Sequence, residues 1–283
     1  MYQADRSFAG LISPQPAERQ RASARVAMSA VKIGDTTQAM RVAETGSLRV
    51  RFPNVTGPAL EAVVLNTAGG IACGDSFALA VDVQPGASVV LTTPAAERVY
   101  RSDGATAEYI VRLWLHPETT TCWLPQETIL FDRAQLRRRI EVDLSTQASL
   151  LAFEAIVFGR AARGETITEG LFEDTWRIRR DGRLVYADTL LLSGDICELL
   201  QRPIVAAGAG AFATCVYIAP DAEARLDAVR TLLEDCVSEC AASAWNGLLT
   251  VRFLAPDVKM LKRDAIAFLS GFRQAPMPRV WHS

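Results

Sequence analysis

The fold is decided by a stretch that reads RIEVDL, residues 139–144. Apolar and polar side chains alternate along it one by one, as they also do in residues 48–52 (LRVRF) and 249–253 (LTVRF). A period of two places one apolar face on a core and one polar face in water, as an antiparallel strand requires. The sequence therefore predicts a mostly β protein, with a large antiparallel or mixed β scaffold.

The pattern changes near residue 220, where two α-helices are expected close to the C-terminus. Apolar residues recur every three or four positions across residues 221–244, with Asp221 as a candidate cap and Gly247 just past the end. A second helix is predicted from about 257 to 273, before Pro276, which cannot continue it. One strand should lie between the two helices. Earlier in the chain, Asp181-Gly182 predicts a hairpin turn, because glycine tolerates a positive φ.

The domain organisation is expected to be simple. Residues 1–20 are rich in Gln, Arg, Pro and Ser, a composition that predicts a mobile N-terminal tail. Residues 21–283 are expected to form a single domain. The chain has 283 residues and 49% of them are apolar, which is enough to bury a large core.

Charge and composition exclude several classes of partner. The net charge of -2 gives no basic excess for phosphate binding, so no nucleic-acid partner is expected. No stretch approaches the ~20 apolar residues of a membrane span, and residues 1–20 lack the apolar run of a signal peptide. The six cysteines are then expected to be reduced thiols. These features predict a cytoplasmic protein without a membrane partner.

Two glycine-rich stretches resemble nucleotide-binding loops only in part. Residues 69–76 (GGIACGDS) have the outer spacing of a phosphate loop, but Asp75 stands where the loop needs a lysine. The second, beginning at Gly208, follows an apolar run, but residues 214–218 favour a strand where a dinucleotide fingerprint needs a helix. A tight turn and a bend in a sheet are the expected uses of these glycines.

Catalytic and metal-binding patterns are sparse. The chain has only two histidines, and neither is accompanied by a nucleophile motif. Cys236 and Cys240 would share one helix face, where two packed thiols are expected rather than a zinc site. The basic run at residues 137–139 is expected to be the solvated face of a hairpin, or else a partner-docking patch. These observations favour a binding protein over an enzyme.

Five segments, taken in order and spacing, resemble the urease accessory protein family UreD, called UreH in some organisms. The likeness extends from about residue 25 to the end, and residues 123–131 (WLPQETILF) are its most diagnostic part. Two departures are Cys73, where the family usually has glycine, and Phe153, where a tryptophan is common. The other four segments are residues 65–75, 92–102, 153–165 and 278–281.

The resemblance implies a cytoplasmic, non-catalytic chaperone that is required for incorporation of the nickel centre of urease. It implies three partners: apo-urease, the accessory protein UreF and, through UreF, the GTPase UreG. It also implies a predominantly β fold with two C-terminal helices. No tightly bound cofactor is expected, although nickel in transit is possible. The alternative is an uncharacterised all-β small-molecule enzyme or binding protein that uses Glu127 and Glu154 as an acid–base pair.

Four acids within the family-like segments are candidate weak nickel-transit or partner-contact groups. A conduit should bind nickel weakly at several points, which suits carboxylates better than histidine or thiolate clusters. The same acids could instead accept hydrogen bonds from the backbone or from Arg98, Arg101 and Arg160. Near the C-terminus, Arg279 and Trp281 are candidate contacts for UreF. The four candidate acids are Asp75, Glu127, Glu154 and Glu165.

Overall fold

The structure, a computed structural model, describes residues 21–160 and 164–282. The chain is mostly β, with 53% strand and 14% helix, which confirms the expected fold class. The predicted mobile tail, residues 1–20, lies outside the described residues.

The described residues form two sheets and three α-helices. The strands, in chain order, are β1 (Ser23–Ile33), β2 (Thr36–Thr45), β3 (Leu48–Arg51), β4 (Leu60–Asn66), β5 (Ser76–Val83), β6 (Ser88–Thr92), β7 (Glu97–Val99), β8 (Ala107–Leu115), β9 (Thr120–Leu124), β10 (Thr128–Leu130), β11 (Gln135–Leu144), β12 (Ser149–Phe158), β13 (Glu169–Arg180), β14 (Arg183–Asp195), β15 (Ala211–Ile218), β16 (Glu239–Trp245) and β17 (Leu248–Ala255). The helices are α1 (Ile196–Gln201), α2 (Leu226–Leu233) and α3 (Val258–Arg273).

The two sheets are built by a chain that passes back and forth between them. The first sheet has the order β14-β13-β11-β8-β5-β1-β2. The second has the order β16-β17-β15-β12-β9-β6-β4-β3, and in addition β10 pairs with β12 and β7 pairs with β10. From β5 to β12 the chain makes successive passes, and each pass adds one strand to the first sheet and one to the second. Each new strand pairs in parallel with the strand that the previous pass added to the same sheet, as in a flattened solenoid.

The predicted pairing direction is confirmed for two of the three alternating stretches. Residues 48–51 and 249–253 belong to antiparallel pairs. Residues 139–144 do not, because β11 pairs in parallel with both β8 and β13. The alternation arises because one face of the first sheet packs inward and the other is exposed, and it carries no information about strand direction.

Two cores lie on opposite faces of the second sheet. The first core fills the space between the two sheets, and the second lies between the second sheet and the helices α2 and α3. Alternate residues of β12 contribute to each: Ala152 and Ile156 to the first core, Phe153 and Ala155 to the second. The second sheet is therefore buried on both faces along β12.

The predicted turns and the second helix are confirmed. Asp181 and Gly182 have positive φ values of 47° and 76° and join β13 to β14 as a hairpin. A strand, β15, follows the second glycine-rich stretch, as expected. In α3, the side chain of Asp257 accepts a hydrogen bond from the backbone N–H of Met260 at 2.9 Å and caps the helix.

The helix predicted over residues 221–244 is wrong in extent. A short 3-10 turn covers residues 223–225, α2 ends at Leu233, and Cys240 lies in β16. Asp221 does not cap the helix; its carboxylate bonds Tyr217 and Arg225 instead. Gly247 lies in the turn between β16 and β17, so two strands separate α2 from α3. The short α1 was not predicted.

Candidate functional site

Three ionisable side chains lie buried in the first core, in the middle of two strands of the first sheet and one strand of the second. Arg138 of β11 and Glu154 of β12 are each 3% exposed, and Asp174 of β13 is 5% exposed. Arg137 and Arg139 point to the outer face of the first sheet, so the alternation of β11 turns Arg138 inward. The prediction that residues 137–139 form the solvated face of a hairpin is therefore wrong for Arg138, and β11 belongs to no hairpin because it pairs in parallel with β8 and β13.

The guanidinium of Arg138 joins the two carboxylates, and we call these three residues the Arg138 cluster. Its Nε and Nη2 donate to the two carboxylate oxygens of Asp174, both at 2.8 Å. Its Nη1 donates to Glu154 and to the Thr128 hydroxyl, the latter at 3.2 Å. The other oxygen of Glu154 accepts a hydrogen bond from Trp123 Nε1 at 2.7 Å. The cluster is thus held from both sheets.

A small internal cavity of about 20 Å³ adjoins the Arg138 cluster. Its polar lining includes Glu97, Asn66 and Gln126 in addition to Glu154 and Arg138. The amide of Asn66 donates to Glu97 Oε1 at 3.3 Å. A cavity of this size and polarity has room for about one water molecule. Carboxylate groups and space for one water molecule therefore lie together beside the Arg138 cluster.

Burial controls the protonation of the two glutamates. It raises the pKa of Glu97 to about 7, although the hydrogen bond from Asn66 opposes the shift. It also raises the pKa of Glu154, an effect that the neighbouring Arg138 charge reduces. The pKa of Glu97 lies above the usual range of a carboxyl group, so this side chain can gain or lose a proton near neutral pH.

The charged and amide side chains that line the cavity offer a cation only oxygen atoms as ligands. Within residues 21–160 and 164–282, no group of three or more His, Cys, Asp or Glu side chains is arranged to hold a metal ion. Carboxylate, amide and water oxygens bind divalent transition metals less strongly than imidazole or thiolate sets do. The Arg138 charge competes further for the carboxylate oxygens.

The structure places the predicted acids in separate surroundings, and of the four only Glu154 lines this cavity. Asp75 is buried, and its two oxygens accept the backbone N–H groups of Ala22 and Ala72, each at 2.8 Å. Glu165 forms an ion pair with Arg160 at the protein surface. Hydrogen bonding to the backbone and to arginine thus accounts for Asp75 and Glu165.

Glu127 lies on the other side of the second sheet from Glu154. It lines a cavity of about 10 Å³ together with Phe153, Lys262 and Trp281, against α3. Glu154 instead faces the first core. The acid–base pair that the alternative enzyme would need is therefore absent, since a sheet separates the two carboxyl groups.

The two predicted partner contacts differ in accessibility. Arg279 is exposed and available to another protein. Trp281 is 2% exposed, and its Nε1 donates to Thr92 Oγ1 at 3.1 Å and to the Leu124 carbonyl at 3.2 Å. Its ring packs against Phe153. Trp281 therefore anchors the C-terminal segment to the second core and offers no surface to a partner.

The sequence analysis did not identify four residues of this site, although the strand pattern indicated that two of them are buried. Arg138 lies two residues before Ile140, and Asp174 lies two residues before Trp176. In a strand such residues share a face, so both charged side chains had to face the core. Glu97 and Asn66 had no such signal. They reach the cavity from the ends of β7 and β4, and their position depends on how the sheets pack.

Comparison with known proteins assigns the family. A family model described as UreD urease accessory protein matches residues 20–282. The chain belongs to the UreD family. Urease accessory proteins UreD from Azorhizobium caulinodans and Xanthobacter autotrophicus are each 56% identical to it over 263 residues, which cover 93% of this chain and 97% and 91% of theirs. A Methylobacterium UreD is 52% identical over 277 residues, 96% of this chain and 98% of its own.

The match of this UreD-family chain spans both sheets and all three helices. The buried Arg138 cluster, its cavity and the C-terminal anchor therefore lie within the family region. No helix of residues 21–160 and 164–282 is both long enough and apolar enough to cross a membrane.

Proposed function

We propose that this urease accessory protein is a non-catalytic, cytoplasmic chaperone that assists insertion of nickel into urease. The observation that carries the proposal is the Arg138 cluster with its cavity, in a chain that matches the UreD family over residues 20–282. Nickel is cargo in this proposal and is not a resident cofactor.

The energetic cost of the buried cluster supports a functional role. Three charged side chains in an apolar core lose hydration, and well-packed apolar residues of similar volume are often at least as stable. Glu97 and Glu154 present oxygen ligands beside space for one water. A cation that passes through such a place meets weak ligands and is not trapped.

The scaffold role requires separate contacts with other proteins. We propose that the chain binds apo-urease and UreF, and that UreF brings the GTPase UreG. The C-terminal side of the second sheet, where Arg279 is exposed, is the proposed contact for UreF. Arg279→Glu should weaken co-purification with UreF and leave the Trp281 anchor in place. Arg139→Glu, on the outer face of the first sheet, should leave co-purification with UreF unchanged. Equal binding by both variants would overturn this assignment.

The nickel role is tested by urease maturation with chain variants. Glu154→Gln and Glu97→Gln remove carboxylate oxygens at nearly constant shape, and Glu165→Gln is the surface control. We expect urease matured with the first two variants to contain less nickel, while complexes with UreF and apo-urease still form. Glu127→Ala shows whether the cavity on the other sheet face contributes. Unchanged nickel content with Glu154→Gln and Glu97→Gln would exclude a conduit role for the cavity.

A further inference from the structure

The outer face of the first sheet is divided into two unlike halves. Across β8, β11 and β13, outward side chains form ion pairs between neighbouring strands. This half is a typical solvated surface whose charges are already paired. The pairs are Arg112–Glu141 at 2.6 Å, Arg137–Glu173 at 3.1 Å and Arg139–Glu108 at 3.9 Å.

The other half, across β5, β1 and β2, is a groove of about 640 Å³. Its floor consists of small side chains, among them Ala27, Ser29 and Ala80. Trp114 and Met40 form its sides and are 40% and 66% exposed. Exposed Trp and Met beside a floor of small residues are typical of a protein interface, where aromatic side chains supply much of the binding energy.

The groove carries an uncompensated positive charge. Asp82 is satisfied within the chain, because His116 Nε2 lies 2.9 Å from its Oδ1 and Gln84 donates to its Oδ2 at 2.8 Å. Arg25 and Arg41 also line the groove, and neither forms an ion pair with another residue of the described chain. Two free guanidinium groups beside apolar surface complement a segment that carries both carboxylates and apolar side chains.

The sheet itself is of a kind that is normally covered. β5 pairs in parallel with β1 and with β8, and parallel sheets usually have both faces buried. The second sheet has its outer face covered by α2 and α3. No described element of the chain covers the groove half of the first sheet.

We propose that this groove docks an acidic, apolar-faced segment of the client protein, which is apo-urease in the function proposed above. The inference rests on that function. The client is the occupant because the proposed UreF contact at Arg279 lies with the helical layer, on the outer side of the other sheet. A chaperone that bridges two proteins needs two separate surfaces. A second copy of this chain docked groove to groove would place its own unpaired arginines against Arg25 and Arg41, and these like charges would repel.

The test uses purified full-length chain, alone and with UreF bound, and measures its Kd for apo-urease. Arg41→Glu and Trp114→Ala change exposed side chains, so the fold should be retained, which circular dichroism checks. We expect each to weaken apo-urease binding by about tenfold or more and to leave UreF binding unchanged. Arg137→Ala, in the charged half of the same face, is the matched control and should change Kd by less than about threefold.

The outcomes separate this inference from the proposed function. If the wild-type chain, with or without UreF, does not bind apo-urease, the proposed function fails. If it binds and both groove variants bind equally well, the docking site is overturned while the function stands. A loss of UreF binding, or a change from dimer to monomer in sedimentation, would assign the groove to UreF or to a second copy and would also overturn the inference.

Discussion

At the scale of single residues, the stability of the first core depends on one guanidinium. Arg138 donates two hydrogen bonds to Asp174 and a third to Glu154, so its loss would leave both carboxyl groups buried without a cation beside them. We expect Arg138→Ala to lower the free energy of unfolding by about 3–5 kcal/mol in urea denaturation. Arg137→Ala, one position away but exposed beside Glu173, should cost less than about 1 kcal/mol. Equal losses would show that burial of the ion pairs is unimportant.

Protonation of Glu97 should make stability depend on pH. Its pKa is about 7 in the folded chain, against an ordinary value of 4.5, because its half-buried position removes water from the carboxylate. Between these pH values the folded chain holds a proton that the unfolded chain has lost, so the free energy of unfolding falls as pH rises. The free energy of unfolding of Glu97→Gln should therefore increase relative to that of wild type as the pH rises from about 5 to about 8, by on the order of 2–3 kcal/mol. Urea denaturation at both pH values measures this, with Glu173→Gln as the exposed control; parallel pH profiles for Glu97→Gln and wild type would contradict it.

At the scale of elements, local sequence patterns predicted where strands occur better than which strands pair with each other. The alternation around Ile140 identified β11, but its parallel pairing depends on passes through the other sheet that no local pattern records. Cys236 and Cys240 are four residues apart and mimic a helix face. In β16, however, Cys240, Ala242 and Ala244 face the second core with a period of two. Small residues made this strand hard to recognise.

Asp264 of α3 explains how the chain turns from α2 into β16. Its buried Oδ2 accepts hydrogen bonds from the backbone N–H groups of Val237 and Ser238 at 3.0 Å and 2.8 Å, and from the Ser238 hydroxyl at 2.7 Å. We expect Asp264→Ala to lower the free energy of unfolding by about 2–3 kcal/mol, because the two donors of the buried Ser238 and the N–H of Val237 lose their acceptor. Asp227→Ala, at the exposed surface of α2, should change the free energy of unfolding by no more than about 0.5 kcal/mol. Thermal or urea unfolding distinguishes the two, and a comparable effect of both would refute this role of Asp264.

At the scale of the whole molecule, the second sheet couples the two cores. Because β12 gives alternate side chains to each core, the loss of one core removes the support of a shared sheet. We expect unfolding in a single transition, with the same urea midpoint by far-ultraviolet circular dichroism and by tryptophan fluorescence. Trp123 and Trp176 report on the first core and Trp281 on the second. Separate midpoints would show that the helical layer unfolds independently.

The anchoring of Trp281 has a consequence for how the chain folds during its synthesis. Its indole contacts Thr92, Leu124 and Phe153, residues from three successive passes of the solenoid. The early passes can assemble while the ribosome is still adding residues, since domains form from the N-terminal side first. The second core, by contrast, gains the side chain of Trp281 only after all three of these passes have been made. Until that moment the second core is incomplete, and a newly made chain is then more exposed to aggregation or to capture by a binding partner.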